Sequence, residues 1–164
     1  MKPHCEQHHS GLAHYRNSQN GAVLVEFALV LPVLLLLLLG IFEFGRAFNY
    51  WIDENHLAEV AARWAAVDRN PGPGGSLQES VQLQADTTEL REGGTRSVEQ
   101  PAQVCINFLG EQKVGEPVEA TVSVDFNWLP FIAEKTGIGT TELTGSATMR
   151  LEQAPSEYGE ECSS

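Results

Sequence analysis

Basic side chains are scarce: ten Lys and Arg stand against 22 Asp and Glu, a formal charge of −12 over 164 residues. The ten are scattered singly, whereas a surface that neutralises phosphates needs them clustered, which argues against DNA or RNA as partners. Cysteine is scarcer still, three residues without a C-x-x-C pair, so neither a thioredoxin-like redox motif nor a paired-cysteine zinc site is present. H-E-x-x-H, G-x-S-x-G and P-loop patterns are missing, and Gly137-Ile138-Gly139 lacks the third glycine of a dinucleotide turn. No nucleophile has an evident base, so the chain is expected to be structural, not an enzyme, and to carry no cofactor. Behind His14 the only histidine is His56. With Asp53 and Glu54 beside it on a helix, a solvated charged face accounts for all three. His4, Cys5, His8 and His9 form a loose metal-ligand tract without a second shell, and the polar run around them reads as a disordered leader, so no metal is expected.

What the chain has in abundance is one apolar run. From Ala22 to Phe42 it reads AVLVEFALVLPVLLLLLLGIF, with Glu26 its single ionisable group. As an α-helix these 21 residues span about 30 Å, the thickness of a hydrocarbon core, and only a structure that satisfies its own backbone can cross it. A single transmembrane helix is therefore predicted. A cleaved secretory signal fits less well, because its apolar region runs to about 7–15 residues and ends at a small-x-small box, whereas Phe42, Glu43 and Phe44 follow here. Arg16 before the run and Arg46 after it balance each other on the positive-inside rule. The short segment in front and the long remainder behind favour an N-terminal signal-anchor with the bulk translocated.

A carboxylate inside a bilayer costs roughly 2.5–3.5 kcal/mol on insertion scales, so Glu26 either snorkels to the interface from one turn inside or finds a partner. Gly21, four apolar residues from Ala22 to Val25, then Glu26 and Phe27 form a pattern similar to the processing site of type IV prepilins, where a membrane aspartyl peptidase cuts after the glycine. The whole stretch GAVLVEFALVLPVLLLLLLGIFEFGRAF, Gly21 to Phe48, resembles the N-terminal motif of the TadE-like family, minor pseudopilins of the tight-adherence (Flp) type IV pilus. The segment LAEVAARWAA from Leu57 to Ala66 and TGSATMRLE from Thr144 to Glu152 are similar to that family's alanine-rich helix and closing strand. The resemblance implies a processing site at Gly21, Ala22, Glu26 and Phe27, with a prepilin-type peptidase as one partner. Other Tad pseudopilins, the pilin and inner-membrane lipid are the implied remainder. It also implies an assembly role for Glu26: cleavage would free the amine of Ala22 four residues away, close enough to pair with that carboxylate or with the same residue of a neighbouring subunit.

Behind the run, Phe44, Phe48, Trp51, Asn55, Ala58, Ala62 and Ala65 recur at spacings of three and four, predicting that the helix continues outward over 43–69 with this face on a sheet. Tyr50 and Trp51 suit the membrane interface, and Arg46 can pair with Glu43. Asn70-Pro71-Gly72-Pro73-Gly74-Gly75 stops the helix. Ser76 with Glu79 reads as a capping box for a helix to about Leu90, although Val81, Leu83 and Ala85 also alternate as a strand would. Apolar alternation predicts strands near 102–108, 117–127 and 141–152. The fold class is thus α+β: a long N-terminal transmembrane helix, continued outside the membrane and packed on a small antiparallel sheet, pilin-like, with residues 70–164 completing a small periplasmic domain. Cys105 and Cys162 are free to pair in an oxidising space, tying the tail SEYGEECSS to the sheet; two unrelated thiols are the alternative. The implied location is a bacterial inner membrane, single-pass, N-terminus cytoplasmic and C-terminal domain periplasmic. The expected function is a minor pseudopilin or pilus-assembly component. The alternative is a membrane-tethered periplasmic binding or accessory module of an envelope or secretion complex that does not polymerise.

Overall fold

A computed structural model describes residues 17–73, 75–130, 139–156 and 158–163, with side chains from residue 21 onward. The histidine-rich tract at positions 4–14 and Gly137-Ile138 lie outside the described residues. The chain divides into two compact units, Met1–Phe42 and Glu43–Ser164.

The first unit contains the start of helix α1, which runs as one element over Asn17–Ala66. Between Val23 and Phe42 its large apolar side chains are exposed all round, the distribution of a helix solvated by lipid or by other helices rather than by its own fold. Pro32 sits inside it. Loss of one backbone donor there is tolerated in spanning helices. Among the described residues α1 is the one helix long and apolar enough to cross a membrane, and it is compatible with a single-pass anchor.

The second unit is α+β, as expected. It comprises residues 43–66 of α1, two short helices α2 (Leu77–Gln82) and α3 (Thr88–Glu92), and strands β1 (Gln103–Phe108), β2 (Pro117–Asn127) and β3 (Thr140–Arg150). The strands form an antiparallel sheet in the order β1-β2-β3. Val104 faces Val122 and Ile106 faces Ala120 across one ladder, while Val122 faces Gly145 and Val118 faces Met149 across the other. Cross-strand partners share a face, so the alternating apolar residues form one continuous surface, and α1 covers it.

The helix face that does this is the expected one at Ala58, Ala62 and Ala65, which are fully buried, but not at Phe44, Phe48 and Trp51. Phe44 is 70% exposed and Phe48 58%, and they flank the core instead of filling it. Ala47, Tyr50, Leu57, Ala58, Ala61, Ala62 and Ala65 are buried. Five of these are alanines, which let the helix backbone approach the sheet closely. Tyr50, read as a membrane-interface residue, is buried with its ring 5.7 Å from that of Phe126. An aromatic row continues from Phe126 to Trp128 at 4.9 Å and from Trp128 to Phe44 at 5.3 Å, fixing the start of this helix segment to the end of β2.

α1 ends at Ala66, before the proline-glycine run. Asp68 takes a positive φ of 52°, its N–H returning to the Ala65 carbonyl. The freed carbonyls of the last turn are then used by the chain beyond β3: Glu152 N–H donates to Ala66 O at 2.7 Å and Tyr158 O–H to Ala65 O at 2.6 Å.

The segment after the turn is two helices, not one to Leu90, and it is not a strand. Ser76 caps α2 by accepting from Glu79 N–H, while Glu79 reaches back to Gly75 N–H rather than to its partner in the box. The helix ends at Gln82 in a tightened turn, with Leu83 N–H returning to Glu79 O, Gln84 N–H to Val81 O and Ala85 N–H to Gln82 O, and the next N–H groups are claimed from outside. Those of Asp86 and Thr87 donate to the carboxylate of Asp53 on α1.

Candidate functional site

Three groups of residues carry chemistry. The first lies in the first unit. Gly21, Ala22, Glu26 and Phe27 occupy the opening turns of α1; all four are exposed, and nothing stands within 4 Å of the position a Gly21 side chain would take. Glu26 has no ion-pair or hydrogen-bond partner among the described residues.

The second group is the free edge of β1 and the C-terminal tail. Cys105 and Cys162 form a disulfide across 57 positions, with their Cα atoms 4.0 Å apart. Around it the tail follows the strand edge. Ile106 N–H donates to Glu161 O at 3.2 Å, Ser163 N–H to Val104 O at 2.8 Å, and Val104 N–H to Ser163 Oγ at 2.8 Å. An edge strand exposes a row of unpaired backbone groups that invites association, and here a covalently fastened tail occupies them. Gln78 of α2 holds the tail from the other side through the carbonyls of Gly159 and Glu161.

The third group was read from the sequence as a solvated charged face, and the structure overturns that reading. Asp53 is 6% exposed and Glu54 is fully buried; only His56 stays in solvent. Asp53 Oδ2 accepts from both Thr87 N–H and Thr87 Oγ–H at 3.0 Å, and its Oδ1 lies 3.4 Å from Asp86 N–H. The carboxylate thus serves as the receptor that turns the chain between α2 and α3. Glu54 faces the other way, toward β3, and neither of its carboxyl oxygens has a hydrogen-bond partner among the described residues. Burial, and then the charges of Asp53 and Glu142, push its pKa up from 4.5 to about 8. Nothing in the run Asp53-Glu54-Asn55-His56 marks two of its members as interior, because the groups that bury them come from residues 86–87 and from β3.

Arg46, expected to pair with Glu43, does so at 3.6 Å and also donates to Ser97 Oγ at 2.8 Å, linking α1 to the loop before β1. Tyr158, which bonds the end of α1, has its hydroxyl pushed up to about 12 by burial and by the charge of Asp68.

Residues 21–63 match the family model described as TadE-like protein, a range that takes in the processing motif, the apolar run and most of the helix behind it. Over that segment the chain is similar to the TadE-like family, in agreement with the resemblance carried by Gly21 to Phe48. Among curated proteins and among solved structures nothing matches.

Proposed function

We propose that the chain is a minor pseudopilin or assembly component of a tight-adherence type IV pilus, held in the inner membrane by α1 with the second unit in the periplasm. The observation that carries this reading is the TadE-like match over residues 21–63, which coincides with one unbroken helix bearing the glycine, the carboxylate and the apolar run in order. The TadE-like family points to a component associated with the Tad pilus. The narrower role rests on Glu26, a carboxylate at membrane depth without a partner among the described residues, as a residue awaiting a counter-charge would be. In this reading a prepilin-type peptidase frees Ala22, and the new ammonium or a neighbouring pilin helix neutralises Glu26 as the subunit joins its partners. The protein acts by assembly and catalyses nothing.

Intact mass and N-terminal sequencing of the membrane-extracted protein test this. A mature species beginning at Ala22, co-purifying with the pilin and other Tad pseudopilins, is expected, and Gly21→Leu should block its formation. Functional protein that retains Met1 or Lys2 and is recovered without pilus subunits would replace this reading with that of a tethered periplasmic module.

A further inference from the structure

Three metal-competent side chains converge on the second unit at a place where the pilin reading requires none. Asp53 and His56 stand three residues apart on α1 and so share one face, and Asp86 is brought to them by the turn between α2 and α3. One ligand atom from each of the three lies within 4.8 Å of the other two. They line a cleft of about 320 Å³ that Asn49, one helical turn before Asp53, and Thr87 help to enclose.

Two features separate this cluster from an ordinary charged surface. Asp53 is nine-tenths buried and already oriented: the two Thr87 donors take Oδ2, whereas Oδ1 carries only the 3.4 Å contact and keeps lone pairs to offer. Such hydrogen bonds to a ligating carboxylate are the outer-sphere support that fixes a metal site. Further, two carboxylates sit together without a cation: among the described residues no Lys or Arg forms an ion pair with Asp53 or Asp86. A divalent ion would supply the missing charge. The donor set chooses the class, since one imidazole nitrogen with two carboxylate oxygens suits borderline first-row ions such as zinc, while calcium and magnesium take all-oxygen sites and no thiolate is offered to softer ions.

We propose that Asp53, His56 and Asp86 form a binding site for a divalent first-row transition metal, a clip that fastens α1 to the α2–α3 turn. It uses three protein ligands and leaves a position for water or the Asn49 side chain. The site stands independently of whether the chain enters a pilus.

The test is zinc binding to the full chain in detergent. His4, His8, His9 and His14 are replaced by alanine and Cys5 by serine, so that the N-terminal tract does not compete. Titration against a chromophoric chelator should find one tightly held equivalent, and zinc should raise the melting temperature. His56→Gln and Asp86→Asn change exposed residues and should leave the zinc-free melting curve as it was, yet each should weaken zinc binding at least ~10-fold, no less than the loss of an outer-sphere partner does. Failure to retain an equivalent, or retention that survives either substitution, overturns the proposal. Asp53 is left intact because its carboxylate also builds the turn.

Discussion

The backbone of Glu54 occupies the space that a side chain at Gly145 would need. A Cβ built on Gly145 would stand 2.6 Å from the Glu54 carbonyl carbon and 2.6 Å from the Asn55 nitrogen. Both clashing atoms are backbone, so no side-chain rotation relieves them, and α1 would have to lift from β3. Gly145→Ala should therefore destabilise the protein by about 1–3 kcal/mol, the usual cost of overpacking, or more where the helix cannot shift. Thermal unfolding of the purified chain checks this; an unchanged melting temperature would show that the helix approach is loose.

Glu54 is predicted to make stability fall as pH rises. Its folded pKa of about 8 lies above the ordinary 4.5, so the folded state holds the proton more firmly than the unfolded chain does. The stabilisation is complete below the unfolded value, declines through the interval between the two, and is gone once pH passes the folded value. Glu54→Gln keeps the shape and removes the titration. It should stabilise at pH 9, by about 1–3 kcal/mol for a buried group left without a partner, and change little at pH 4. Denaturant unfolding across this range would show parallel profiles for the two proteins if the carboxyl did not titrate inside the fold.

The disulfide is predicted to guard one edge of the sheet. The N–H groups of Val104 and Ile106 are bonded by the tail, as is that of Phe108 through Glu160 Oε1 at 3.1 Å. Replacing both Cys105 and Cys162 by serine should cost about 2–4 kcal/mol and speed hydrogen exchange at these three amides before any other part of the sheet. Unchanged protection there would mean that the tail holds without its covalent tie.

Glu26→Ala addresses assembly directly. The substitution removes a group costing roughly 2.5–3.5 kcal/mol in a bilayer, so insertion should be at least as efficient, while co-purification with other pilins should be lost. Full recovery of partners and a normal surface fibre would remove Glu26 from the assembly mechanism.

Several features of this protein were legible from local pattern alone. The apolar run from Ala22 to Phe42 reads as a helix, because in a bilayer only helices and closed barrels satisfy their backbone and this run lacks the polar alternation of a barrel strand. The alternation of Val118, Ala120, Val122, Val124 and Phe126 has the period of a half-buried strand, and all five are buried. Pattern placed Ala58, Ala62 and Ala65 on the inner side of α1, where they are, but put the aromatic residues before them there as well. Phe44, Phe48 and Trp51 form the more hydrophobic stripe, yet packing depends on how near two backbones can come, and the alanines at 58, 61, 62 and 65, with Gly145 against the Glu54 backbone, allow the closer approach. The interior position of Asp53 and Glu54 was equally hidden, since polar residues on a helix are solvated unless another segment covers them. Here the covering segments, residues 86–87 and β3, lie tens of residues away in the chain, and only the closed fold brings them over α1.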